Sequence, residues 1–191
     1  MTQKSARDRI LATATELFYT KGYQATGINE IIEKSGVAKA SFYAQFPSKQ
    51  ELCLAYVRYM DENGFSIATS WVERESTPLG RFMSIIRGSA EWLKATDFKG
   101  CSFLNLVPEI TDPENAIRKM SQGYYEKLSR LLKRLSKELI DSDVERYGHL
   151  TADELAFDYL NVFTGAITLS ALYHDSWPVE KAAQTINRLL R

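Results

Sequence analysis

The sequence predicts an all-α protein of about nine helices, an N-terminal three-helix unit followed by a larger helical one. Three observations carry that expectation. Apolar residues recur at helical spacing from the start, as at Ile10, Leu11, Ala14, Leu17 and Phe18. Cap-type residues such as Ser48, Thr77 and Thr151 open the periodic stretches, and glycine or proline follows them. No alternating strand pattern, internal repeat or low-complexity segment interrupts this.

The first helix runs from about Ser5 to Lys21, and Gly22 stops it. Thr26 is read as the N-cap of a short second helix with Ile28, Ile31 and Ile32 on one face. Ser35-Gly36 ends that helix, because glycine accepts the left-handed conformation of a helix stop. A third helix from about Lys39 to Gln45 buries Val37, Phe42 and Phe46 and leaves Lys39, Ser41, Tyr43, Ala44 and Gln45 outward. Pro47 and Ser48 close it. Two short helices across a glycine-containing turn, the second with a polar outer face, describe a helix-turn-helix able to enter a major groove.

The order of these residues resembles the DNA-binding domain of the TetR family of transcriptional repressors. The resemblance runs from about Arg9 to Leu52. It rests on Arg-Ile-Leu-Ala-Thr-Ala at 9–14, Glu-Leu-Phe at 16–18, Lys-Gly-Tyr at 21–23, Gly36-Val37, Phe42-Tyr43, Phe46, Ser48-Lys49 and Leu52. Three positions depart from the usual family pattern: Gly27 stands where Ser or Thr is common, Ala38 where a capping Ser is common, and Ala40 where Gly is common.

Ser48-Lys49-Gln50-Glu51 is a capping box that opens a helix over 49–73. That length exceeds what one small unit can bury, so it is expected to bridge a helix-turn-helix domain at 1–48 and a C-terminal domain at 49–191. Thr77-Pro78 starts the next helix, with proline where its missing amide costs nothing. Asp97-Phe98-Lys99-Gly100 breaks it, and Pro108 kinks or ends the short segment after Cys101. Asp112-Pro113-Glu114 starts a long helix to about Ile140, and the polar stretch from Asp141 to Leu150 reads as a mobile loop. Thr151-Ala152-Asp153-Glu154 opens a helix at about 151–174, and Ser176 precedes a last helix at about 176–191.

Composition narrows the function classes. Net charge is zero, yet residues 1–50 hold seven Lys/Arg against four Asp/Glu, and the remainder holds seventeen against twenty. A positive bias beside a groove-reading helix suits phosphate contact; a solvated charged face has the same composition. Cys53 and Cys101 are the sole cysteines, no disulfide framework, and the N-terminus lacks an apolar signal region, which points to the cytoplasm. Asp158, Asn161, Thr164, Thr168 and Ser170 interrupt the apolar stretch Leu155–Tyr173, so an interface helix is expected there, not a membrane span. His149 and His174 fall in no metal pattern and no phosphate-cradling glycine loop is present. Neither catalysis, nor a metal, nor a cofactor is expected.

For DNA, Lys39 and Lys49 can neutralise phosphates and Tyr43 can donate its hydroxyl to one. Lys39 can also reach guanine, Gln45 adenine and Ser41 several bases, while the Ala40 and Ala44 methyls can meet thymine methyls. Thr26 and Asn29 are placed for backbone contacts. Each has the alternative of an ordinary solvated side chain.

The family resemblance implies a homodimer and a small-molecule effector held in the larger domain. Small residues at Gly165, Ala166, Ser170 and Ala171 would let a helix of a second subunit approach, giving a four-helix interface from the last two helices of each chain. Trp71, Phe82, Trp92, Phe103, Tyr124, Phe157 and Phe163 can line an apolar pocket or simply fill a core. Gly100-Cys101 followed by Asn105 and Glu109 resembles the middle segment of one TetR subgroup. Cys101 reads as a thiol sensor or a small buried hydrophobe, and Asn105 and Glu109 bind a ligand or satisfy buried backbone. The resulting expectation is a repressor on a pseudo-palindromic operator, released by a small molecule or thiol-reactive signal. Control by a protein partner, or no effector at all, is the alternative.

Overall fold

A computed structural model describes residues 4–191. Its order is α1 (Ala6–Lys21), α2 (Ile28–Ser35), α3 (Lys39–Gln45), α4 (Lys49–Glu73), α5 (Pro78–Ala95), α6 (Ser102–Leu106), α7 (Ala116–Ser142), α8 (Val144–Tyr147), α9 (Ala152–Tyr173) and α10 (Trp177–Leu189). The described residues contain helices and no strands, as the periodicity predicts. Among the described residues ten helices stand where about nine were expected. The addition is α8, a single turn capped by the Asp143 side chain, inside the stretch read as a mobile loop. Tyr147, 4% exposed, anchors that turn in the core.

Two compact units make up the chain. One comprises the residues up to Glu62 with Ser102–Gly123; the other comprises Asn63–Cys101 with Tyr124–Arg191. The division falls within α4, and α6 groups with the N-terminal helices.

In the first unit, Ser5 and Asp8 form a reciprocal capping box at the start of α1. Ile10, Ala14, Leu17 and Phe18 are the buried face of α1, which packs against both α2 and α3. Leu11, expected on that face, is only half-buried. Gly36, at φ 63, closes α2 in the left-handed conformation. Phe42 and Phe46 are buried, whereas Val37 is half-buried. Leu52, Cys53, Ala55, Tyr56 and Val57 of α4 complete this core.

In the second unit, Thr77 caps α5 through the Gly80 amide, and Thr151 caps α9 through the Glu154 amide. Phe82, Met83, Ile85 and Ile86 of α5 meet Leu128, Leu131, Leu132 and Leu135 of α7, together with Leu155, Tyr159 and Ile167 of α9. Tyr159 stands edge-on to Phe82, with centroids 5.1 Å apart, and its hydroxyl oxygen accepts the Ile86 amide at 2.8 Å. The helix α9 is long and apolar enough to cross a membrane by length and composition alone, but the core helix of a soluble protein passes the same test. Its inner residues Leu155, Ala156, Tyr159, Ala166, Ile167 and Ser170 are buried.

Candidate nucleic-acid interface

The outer face of α3 is built by what lies beneath it. Phe42 is fully buried and Phe46 nearly so, their rings 6.5 Å apart, and Tyr43 packs edge-on against Phe42 at 5.3 Å. With those residues fixed inward, Lys39, Ala40, Ser41, Tyr43, Ala44 and Gln45 are all exposed. Asn29 is exposed at the start of α2. The pattern of side chains on α3 is therefore the one that the spacing predicts.

Two expected DNA contacts are placed differently. Thr26 is fully buried and does not cap α2; the N-cap is Gly27, which makes no side-chain bond. The Thr26 hydroxyl donates instead to the Gly22 carbonyl at 2.7 Å and lies 3.4 Å from the Leu17 carbonyl, so it holds the end of α1 and faces no phosphate. Lys49 lies 4.4 Å over the Tyr23 ring and donates to the Gln24 carbonyl at 3.3 Å. Burial lowers the pKa of this ammonium, against the raising influence of the Cys53 thiol and Glu109. A phosphate contact by Lys49 requires it to leave these partners.

Other placements have no local signal in the sequence. The Arg7 guanidinium sits 5.1 Å over Phe46, at the end of α3. Lys21 at the end of α1 pairs with Glu30 of α2 at 2.6 Å, and Lys34 reaches the same carboxylate at 3.3 Å. The hydrogen bond from Lys21, followed by that from Lys34, lowers the Glu30 pKa. The Arg7–Phe46 and Lys21–Glu30 contacts join separate elements, so tertiary packing sets them, whereas Lys34–Glu30 is a local i,i+4 pair within α2.

The ten candidate effector residues are divided between the two units. Phe103 is buried and Asn105 exposed in the first unit. Glu109, also in that unit, turns its carboxylate to backbone: it accepts the Tyr23 amide at 3.1 Å and the Gln24 amide at 2.6 Å. Of the two alternatives for Glu109, satisfying backbone is therefore the one the structure takes. In the second unit, Trp71 covers Gly88 so closely that a Cβ there would overlap the indole. Trp92, Tyr124 and Phe163 pack on the main core. Phe82 is fully buried and Phe157 is 63% exposed, so neither lines an enclosed pocket. Cys101 directly precedes α6 and accepts the Tyr125 hydroxyl at 3.3 Å. Burial raises the Tyr125 pKa, as does Cys101 itself.

Clefts occur elsewhere. One of about 300 Å³ is lined by Thr69, Val72, Glu73, Arg81, Arg134 and Glu138. Another, of about 370 Å³, runs along His149–Thr151, Glu154, Leu155, Phe157, Asp158 and Leu189. A third, of about 460 Å³, lies on the first unit between Lys4, Asp8, Leu11, Ala12, Thr15 and Tyr59. Phe157, in the second of them, is the one candidate effector residue in these linings.

Comparison with known proteins bears on both halves. Residues 10–56 match the family described as bacterial regulatory proteins, tetR family, and residues 78–186 match the tetracyclin repressor-like C-terminal domain. The HTH-type transcriptional regulator YxaF of Bacillus subtilis is 27% identical over 188 residues, 97% of this chain and 95% of YxaF. The transcriptional regulator AcuR of Cereibacter sphaeroides is 25% identical over 189 residues, 96% of this chain and 84% of AcuR. SCO4454, a TetR-family transcriptional regulator from Streptomyces coelicolor, superposes with a TM-score of 0.87 at 24% identity, covering 97% of this chain and 94% of that one. With its exposed α3 face and with matches spanning the N-terminal and C-terminal regions, the chain belongs to the TetR family of DNA-binding transcriptional regulators.

Proposed function

We propose that the protein is a homodimeric repressor that reads a pseudo-palindromic operator and leaves it when a small molecule or a thiol-reactive compound acts on the C-terminal region. The observation that carries the DNA part is the exposed α3 face over buried Phe42 and Phe46. Lys39 and Tyr43 hold phosphates, Ser41 and Gln45 meet base edges, Ala40 and Ala44 meet thymine methyls, and Asn29 contacts backbone. Lys49 joins them after leaving the Tyr23 ring. Such a regulator works in the cytoplasm, where its operator is.

The outer face of α9 supports dimerisation. Phe157, Asn161, Gly165, Thr168 and Leu172 lie at helical spacing away from the core, with Leu169, Tyr173 and Trp177 beside them. Around Gly165 an added Cβ would meet nothing within 4 Å, which leaves room for the backbone of a second α9. Together with α10 this makes the four-helix interface, and it sets two α3 helices about 34–36 Å apart for successive major grooves.

Effector control is assigned to the second unit, to Cys101, whose sulfur the Tyr125 hydroxyl holds, and to Trp71, Trp92, Tyr124 and Phe163. A second reading, control by a protein partner or without an effector, is favoured by the packing of Trp92, Tyr124 and Phe163 on the core.

Selection of genomic fragments on the purified protein tests the proposal. The expected result is a set of fragments sharing one inverted repeat, bound by two chains and released by a low-molecular-weight compound or an alkylating agent. Fragments with no common sequence would overturn the operator assignment, and retention under alkylation with release only by other compounds would remove Cys101 from effector control.

A further inference from the structure

Four polar interactions converge on the short loop between α1 and α2, and two of them end on one carboxylate. Glu109 accepts the Tyr23 amide through Oε1 at 3.1 Å and the Gln24 amide through Oε2 at 2.6 Å. The Gln24 side-chain amide returns a bond to the Glu109 carbonyl at 3.0 Å. On the other side, Lys49 donates to the Gln24 carbonyl and covers the Tyr23 ring. Gly22 is shaped to this contact: its φ is +94, and a Cβ there would come within 3.0 Å of Oε1 and 3.2 Å of Oε2. The loop is thus fitted to a group 85 residues away in sequence.

This loop leads directly into the helix-turn-helix. The helix α2 begins at Ile28 with Gly27 as an N-cap that offers no side-chain bond. The entry of the chain into α2 is therefore set by the loop before it, and the loop is set by Glu109 and Lys49. We propose that Glu109 is a positioning residue for DNA recognition, its carboxylate fixing the backbone of Tyr23 and Gln24 and, through them, the stance of α2 and α3. This rests on the DNA-binding reading above. A bond from a backbone amide to an ionised carboxylate is about twice as strong as a neutral one, which suits it to hold a loop rather than merely fill it. Because Glu109 closes the stretch that begins with α6, displacement of that stretch carries the loop with it.

Charge alone and positioning predict opposite signs, which makes the test decisive. Removing a negative side chain from a DNA-binding unit strengthens attraction to phosphate. Loss of the loop anchor weakens operator binding. Glu109→Gln, of equal volume with one acceptor left, and Glu109→Ala would be titrated against the duplex recovered by genomic selection, with a mixed-sequence duplex of equal length as control. Amide exchange at Tyr23 and Gln24 would be followed in parallel without DNA. Expected are faster exchange at those two amides and an operator affinity lower by about tenfold to a hundredfold in Glu109→Ala, with Glu109→Gln between it and wild type. The mixed-sequence affinity should hold or rise. Operator binding equal to or tighter than wild type in both variants, or unchanged exchange, overturns the proposal. Wild-type protein that prefers the selected duplex over the control in none of the titrations overturns the DNA reading beneath it instead.

Discussion

Lys39 is the exposed cation at the start of α3, with Phe42 and Phe46 buried behind it. A lysine so placed on duplex DNA displaces one condensed counterion. In Lys39→Ala the slope of log affinity against log salt should therefore shallow by about 0.9, with weaker binding at low salt on every sequence. A slope equal to that of wild type in an anisotropy titration would assign Lys39 to base reading or to neither role. Thr26 belongs to the opposite kind of residue. Its hydroxyl is fully buried and donates to the Gly22 carbonyl, so Thr26→Val removes a bond without changing shape and should cost about 1–2 kcal/mol in urea unfolding. DNA affinity per folded molecule should stay nearly constant, which a direct contact would not allow. Sequence spacing separates these two residues poorly. A threonine before an isoleucine-rich stretch has the form of an N-cap, and only the one-residue offset to Gly27 and the fold-back onto the end of α1 reveal it as core. Glu109 was legible as a residue able to satisfy backbone, but the Tyr23 and Gln24 amides are 86 and 85 residues away, and no local pattern encodes that distance.

At the scale of elements, the caps and periodic faces in the sequence account for most boundaries. Ser48, Thr77 and Thr151 each accept the amide three residues on, so α4, α5 and α9 start where their chemistry says. Besides the start of α2, the exception is α8, whose four residues hold too few apolar positions to show a period; Tyr147 is kept in place by tertiary burial. How α5 and α9 meet was equally illegible. The contact centres on Tyr159, whose hydroxyl takes the Ile86 amide in the middle of α5. Burial raises the Tyr159 pKa above its ordinary 10.0, despite the lowering effect of the Ile86 amide and Arg87. The folded state therefore keeps a proton that the unfolded chain releases, and this share of stability is complete below pH 10 and declines as pH climbs beyond it. Tyr159→Phe should lose about 1–2 kcal/mol at neutral pH with the Ile86 bond, yet fall less steeply than wild type above about pH 10. Urea midpoints at neutral and alkaline pH measure both, and a parallel alkaline decline in the two proteins would show that another group governs it. Cys53, whose thiol burial pushes up to about 12, retains the same sign in either protein.

For the whole molecule, the test lies on α9, which uses one face for its own core and presents Phe157, Leu169, Leu172 and Tyr173 on the other. An exposed apolar stripe of that length, with open space at Gly165, is what a helix facing its own copy requires. Leu172 is 72% exposed and is buried only if a second chain covers it. In a twofold interface each substitution acts twice, so Leu172→Glu removes two leucine contacts and inserts two carboxylates. The dimer should weaken by about 3 kcal/mol or more, at least about a hundredfold in dissociation constant. Sedimentation of wild type and variant across a concentration series reads this directly, while helix content stays at the wild-type level because Leu172 contributes little to the single chain's core. Operator affinity should fall along with dimerisation, since one α3 reads too few base pairs to hold a pseudo-palindrome, and raising protein concentration should restore it. A variant that remains dimeric would move the interface away from the exposed face of α9, and one that turns monomeric while binding the full operator undiminished would mean that spacing between two recognition helices is not what selects the site.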